Sequence, residues 1–196
     1  VMENLANWRW LNEPARWRRE SDALHVTTDA QTDFWQTTWY GFQRHSGHVF
    51  GTEVAGEFTF QVRVEGDFTT LYDQAGLFLM ADEQHWLKAG IEYNDAQPMI
   101  GSVLTLERSD WATGIFPAAQ KHFWLRLTHQ NQNQSLRLQY STDGDTWPLL
   151  RLCPFPDAER YFLGAMCCSP SRAGLEIVFS DFHLGPPNGK DLHDLS

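Results

Sequence analysis

Apolar residues along this chain recur at every second position, in short runs separated by turn signals. In "FTFQVRVEG", Phe58, Phe60, Val62 and Val64 alternate with Thr59, Gln61, Arg63 and Glu65, the pattern of a strand with one buried and one wet face. Leu136, Leu138 and Tyr140 repeat it in "QSLRLQYS", as do Phe123, Leu125 and Leu127 in "FWLRLTH". Further strands are expected at 23–28, 75–81, 102–108, 161–168 and 175–184. No long stretch keeps helical period. The pattern therefore predicts an all-β protein, an antiparallel sandwich in which the number of strands favours a jelly roll over an immunoglobulin-like arrangement.

Turn chemistry supports this division. In "YSTDGDTWPLLR", Ser141 can bond local backbone, Asp143 can close an Asx turn, and Gly144 can take a positive φ. This stretch reads as scaffold. Residues 1–185 read as one domain, and 186–196, with Pro and Gly followed by charge, as a C-terminal surface extension.

One predicted strand is unusually furnished. Alternate positions place Trp86, Lys88, Gly90 and Glu92 on one face and Leu87, Ala89, Ile91 and Tyr93 on the other. The second face suits a core. The first could be a solvated sheet surface laced with cross-strand ion pairs, or a groove in which Trp rings stack on sugars while charged groups bond hydroxyls. Lys88 and Glu92 are four residues apart, ~13 Å along a strand, so their partners must come from neighbouring elements. Asp33 and Trp35, Ser109, Asp110 and Trp111, and Arg126 are the candidates. Trp35, Trp86 and Trp111 are all flanked by charge, which tilts the reading towards a groove, because exposed Trp on a sheet is costly unless covered.

Composition narrows the partners. With 15 basic and 25 acidic residues the net charge is -10, which disfavours phosphate backbones and anionic lipid, so neither nucleic acid nor a membrane is expected as a partner. Nine Trp in 196 residues exceed what a core of this size requires. Cys153, Cys167 and Cys168 form no framework spacing, so buried free thiols in a reducing compartment are expected. The first residues lack a secretory pattern, and no 18-residue apolar run occurs. Cytoplasmic location is the expectation.

No catalytic motif is complete. Glycoside cleavage needs two carboxyl groups, ~5 to 5.5 Å apart for retention or ~6.5 to 9.5 Å for inversion. After Glu92 the same-face positions are Asn94 and Ala96, so a second carboxylate would have to come across strands, from Asp110 or Asp73. His45 and His48 have no cluster of further ligands near them in sequence, and neither a metal nor a cofactor is expected. There is no G-x-S-x-G elbow and no phosphate-cradling loop.

Taken together and in order, "WRWLNEP" at 8–14, "TDFWQTTWYG" at 32–41, "YDQAGLFL" at 72–79, "HWLKAGIEY" at 85–93, "SDW" at 109–111, "WLRL" at 124–127 and "YSTDG" at 140–144 resemble the regulation-of-enolase family. The resemblance runs from about residue 8 to 184. It implies a concanavalin A-like lectin/glucanase fold, a jelly roll of two curved antiparallel sheets whose concave face carries sugar sites in better-known relatives. It supplies no catalytic residues, and the strand of alternating carboxylates found in the glucanases is missing here. Residue reading and resemblance together point to Trp35, Asp73, Trp86, Lys88, Glu92, Asp110, Trp111 and Arg126 as ligand-binding residues, with Trp86 and Trp111 as stacking platforms. A carbohydrate-binding domain is the first expectation; an enzyme acting on a sugar and a regulatory protein-binding module are the alternatives. A homodimer is compatible with each.

Overall fold

The computed structural model describes residues 4–130 and 134–196. Among them there is no helix, and the strands form two sheets of seven and a small hairpin. Sheet A runs in the order β1 (Arg9–Leu11), β6 (His48–Val54), β15 (Tyr161–Cys168), β8 (Gln74–Asp82), β9 (His85–Asn94), β10 (Gln97–Leu106), β11 (Arg108–Ile115). Sheet B runs β14 (Leu149–Pro154), β13 (Ser135–Ser141), β12 (His122–Gln130), β7 (Phe58–Gly66), β16 (Glu176–Gly185), β3 (Ala23–Thr27), β2 (Arg16–Glu20). The hairpin pairs β4 (Phe34–Gln36) with β5 (Gln43–His45). All pairings between these strands are antiparallel.

The period-two pattern explains the packing. Phe58, Phe60, Val62 and Val64 of β7 and Phe123, Leu125 and Leu127 of β12 meet Leu77, Leu79, Leu87, Ala89, Ile91 and Leu163 of sheet A in one core between the sheets. Burying each such side chain favours the fold by about 1.5 to 3 kcal/mol before chain entropy is set against it. The expected sandwich is therefore the observed one.

Several strands lack the pattern that reveals the rest. β2, "RWRRE", is exposed at every position, and β11, "RSDWATGI", buries only Ser109. Both lie at sheet edges, where one side has no neighbour and the core demands less. The predicted strand over 102–108 instead breaks at Glu107, whose φ of 71° turns β10 into β11, so "SDW" lies within an edge strand.

The turn at 141–146 forms as its chemistry predicts. Ser141 Oγ accepts from the amides of Asp143 and Gly144 at 3.3 and 2.8 Å, and Asp143 Oδ1 accepts from those of Asp145 and Thr146, both at 2.8 Å. Residues beyond β16 lie across sheet B. Arg137 donates to the carbonyls of Lys190, Asp191 and Leu192 at 3.0, 2.8 and 2.8 Å, and Trp147 N–H donates to Leu195 O at 2.8 Å.

Candidate ligand-binding site

Sheet A has a second apolar layer on the face turned away from sheet B. Phe34 and Trp35 of the hairpin cover Phe78, Trp86, Val103, Phe162, Met166 and Cys168 there. Phe34 stacks on Phe78 at 4.3 Å between ring centroids, and Gln36 N–H donates to Ser109 Oγ of β11 at 2.9 Å. The hairpin thus plugs one part of this face. Beside it the sheet is floored by glycine, because Gly76, Gly90 and Gly101 stand opposite one another across β8, β9 and β10. Gly90 has a φ of 148°, and a Cβ there would collide with the Ala75 carbonyl. No side chain fills the space above these positions from the floor.

What remains is a cleft of about 160 Å³, lined by Asp33, Trp35, Tyr40, Phe42, Tyr72, Lys88, Glu92, Val103, Trp111 and Pro170. Trp111 stands edge-on to Trp35 at 6.2 Å, Trp35 edge-on to Tyr40 at 5.6 Å, and Tyr40 is stacked on Phe42 at 5.1 Å. Arg44 lies over Phe42 at 4.0 Å. Tyr40 and Tyr72 bridge the mouth through their hydroxyls at 3.0 Å. Thr37, Trp39 and Tyr72 hold left-handed backbone, with φ of 66°, 65° and 68°. Each costs on the order of 1 kcal/mol or more, a kind of strain that clusters at ligand-holding loops. Trp39 itself is 93% exposed.

The charged groups divide into a closed set and an open one. Lys88 Nζ donates to Asp33 Oδ1 at 3.0 Å and to Gln74 Oε1 at 2.9 Å, while Phe34 N–H donates to Asp33 Oδ1 at 2.9 Å. Burial lowers the Lys88 pKa, but Asp33 and further acidic neighbours outweigh it and leave it above the ordinary lysine value. Glu92 differs. Among the described residues its carboxyl has no hydrogen-bond donor, although it is half-buried and lines the cleft. Burial pushes its pKa up to about 7, against the opposing pull of Lys88 and with a further push from Asp33. Tyr72 is raised to about 12, first through its bond with Tyr40 and then through burial and acidic neighbours.

The structure brings four of the eight expected residues to this cleft: Trp35, Lys88, Glu92 and Trp111. The other four lie elsewhere. Trp86 is fully buried beneath the hairpin, with Nε1 donating to Glu83 O at 3.1 Å, so it offers no face to a ligand. Asp73 is also fully buried and is held by Arg172 Nε at 3.1 Å and by the amides of Thr69 and Thr70 at 3.2 and 3.0 Å. Asp110 shares the opposite face of sheet A with Leu104 and pairs with Arg151 at 3.5 Å. Arg126 belongs to sheet B, over Trp147 at 3.9 Å and bonded to Gln61 at 3.3 Å. The Glu92–Asp110 pair is thus excluded by the alternation of β11: with Trp111 facing the cleft, its neighbour must face away.

Tyr40 and Phe42 escaped sequence reasoning, because they come from the loop between β4 and β5. The left-handed loop conformations were not legible either, since neither Trp39 nor Tyr72 is a residue type that favours them. His48 is structural: its Nδ1 donates to Asn12 O at 2.7 Å, and its Nε2 accepts from Asp29 N–H at 3.1 Å. Cys153, Cys167 and Cys168 are buried and unpaired, and burial raises all three thiols, which leaves them poor nucleophiles.

Fold and cleft together define a concanavalin A-like β-sandwich with an aromatic-rimmed site on the outer face of one sheet. Within that class, the chain belongs to the regulation-of-enolase family: the family described as "Protein of unknown function (DUF1349)" matches residues 10–187. "Regulation of enolase protein 1" of Saccharomyces cerevisiae is 48% identical over 192 residues, 98% of this chain and 96% of that protein. The crystal structure of a functionally unknown protein from Saccharomyces cerevisiae is 46% identical, with a TM-score of 0.92 over 95% of this chain and 100% of that one. A mutant of the GH43 protein BlXynB from Bacillus licheniformis is 14% identical, with a TM-score of 0.73 over 92% of this chain and 37% of that one. This last likeness is one of fold alone.

Proposed function

We propose that this protein binds a carbohydrate or sugar-derived ligand in the cleft between Trp35, Glu92 and Trp111. The observation that carries the reading is the Glu92 carboxyl, half-buried, without a donor among the described residues, and facing a cleft walled by Trp35, Tyr40 and Trp111. A ligand hydroxyl would satisfy that carboxyl while a sugar ring lies against the exposed Trp111. The cleft suits a single small ring better than a drug-sized molecule. Hydrolysis is not part of the proposal, since the one acidic group beside Glu92 in the cleft, Asp33, is engaged by Lys88. Cytoplasmic location is part of it, supported by three buried unpaired thiols that suit a reducing compartment.

The test is titration of the full chain with a panel of neutral mono- and disaccharides, followed by NMR and repeated with Trp111→Ala. Binding that shifts the Trp35 and Trp111 indole signals, and is lost in Trp111→Ala while the variant stays folded, is expected. Saccharides that leave both signals unmoved would overturn the reading.

A further inference from the structure

The charge inventory of the cleft says more about its occupant than its shape does. Lys88 is the single cation among the described lining residues, and two of its three N–H donors go to Asp33 and Gln74 at 3.0 and 2.9 Å. Gln74 completes the closed set by donating Nε2 to Asp33 Oδ1 at 3.4 Å. A phosphate or carboxylate entering the cleft would meet one lysine already paired with Asp33; Arg44 lies over the Phe42 ring and does not itself line the cleft. The anion would also meet the open Glu92 carboxyl and the electron-rich faces of aromatic rings, both of which repel anions. A cation would find the reverse. Carboxylate and rings would attract it together, and the protein's net charge of -10 would favour its approach.

Resting on the sugar-site reading, we infer that the ligand is a polyhydroxylated amine: a hydroxyl-bearing compound whose protonated nitrogen pairs with Glu92 against the Tyr40 and Trp111 rings. Its hydroxyls are left to the remaining polar edges, Tyr72 OH and the free lone pairs of Asp33. The groups around Glu92 are Lys88 on its own strand, Gln74 opposite it on β8, Asp33 before β4, Tyr72 before β8 and the Cys168 thiol at the end of β15. All but Lys88 are neutral or acidic. A bound ammonium would add to the pull of Lys88 and draw the Glu92 proton off near neutrality.

Three probes of one carbon skeleton separate the charges: N-methylglucamine as cation, sorbitol as neutral and gluconate as anion. Each is titrated into the full chain at pH 8, where Glu92 is ionised, by calorimetry with NMR to locate the contact. The amine is expected to bind about tenfold more tightly than sorbitol, as a cation–π contact with a partly desolvated ion pair would give, with gluconate weakest. Glu92→Gln should reduce the amine to the level of sorbitol at unchanged melting temperature or above. Affinity for the amine in the wild-type protein should also rise between pH 6 and pH 8, and stay flat in Glu92→Gln. Sorbitol binding as well as the amine, or gluconate binding better, overturns the inference and leaves the sugar site standing. Failure of all three probes at a cleft that holds neutral saccharides also overturns it. A cleft empty to saccharides and amine alike overturns both readings.

Discussion

Lys88 Nζ sits 3.0 Å from Asp33 Oδ1, and the two join elements 55 residues apart in the chain. The lysine side chain is 5% exposed and the aspartate 18%, so neither charge is well served by water once its partner is removed. Lys88→Met should leave Asp33 unpaired beside Glu92 and destabilise the protein by roughly 2 to 3 kcal/mol, somewhat under the usual cost for a fully buried pair because Asp33 is partly solvated. Urea melts of Lys88→Met, Asp33→Asn and the double variant check this. The double variant should lose less than the sum of the two singles.

Glu92 makes stability depend on pH in a direction opposite to most carboxylates. Its folded pKa of about 7 lies above the ordinary value of 4.5, so the folded state binds the proton more tightly than the unfolded one. Its contribution is fully present below pH 4.5 and is lost as pH rises through about 7. Glu92→Gln should therefore be more stable than the wild-type protein at pH 8 by roughly 1 to 3 kcal/mol, a range that allows for partial solvent screening. The gain should vanish near pH 5. Paired denaturant melts at the two pH values measure it.

The two tryptophans expected to stack on a ligand should respond differently to truncation. Trp86 is fully buried, and Trp86→Ala should cost about 3 to 5 kcal/mol through the cavity it opens beneath Phe34 and Phe78. Trp111 is 37% exposed, and Trp111→Ala should cost about 1 kcal/mol or less. Equilibrium unfolding of both variants in guanidinium distinguishes them.

Gly90 tests the glycine row that runs across sheet A beside the cleft. Gly90→Ala would force a Cβ into the Ala75 carbonyl from a backbone φ of 148°, and should lower stability by roughly 2 kcal/mol or more, or prevent folding. Gly114→Ala, where a Cβ meets open space, is the control and should leave stability within about 0.5 kcal/mol. Thermal melts of both, read by far-UV circular dichroism, check the contrast.

Strand identity and the facing of side chains were legible in the sequence wherever one face is core and the other wet. That Leu87, Ala89 and Ile91 point inward, with Lys88 and Glu92 on the other side, follows from period two alone, and the structure agrees. The same reasoning placed the Ser141–Thr146 turn, because its hydrogen bonds are local. Where both faces of a strand are covered, or neither is, the alternation carries no instruction. β8 is buried on both faces at its start and β2 on neither.

Which of the charged and aromatic residues meet one another is a long-range matter. Trp86, Lys88 and Glu92 occupy equivalent positions on one face of β9, yet the first is sealed, the second is paired and the third is open. The hairpin of β4 and β5 makes that difference, because it covers only part of the sheet and carries Asp33 to Lys88. Its placement depends on Phe34 packing against Phe78 and on a bond from Gln36 to Ser109, contacts between residues far apart in the chain. The sequence by itself determined the sandwich, its core and the faces of its strands, since those follow from local periodicity and burial. The tertiary structure alone decided which polar residues share a cleft, since that depends on where a loop comes to rest.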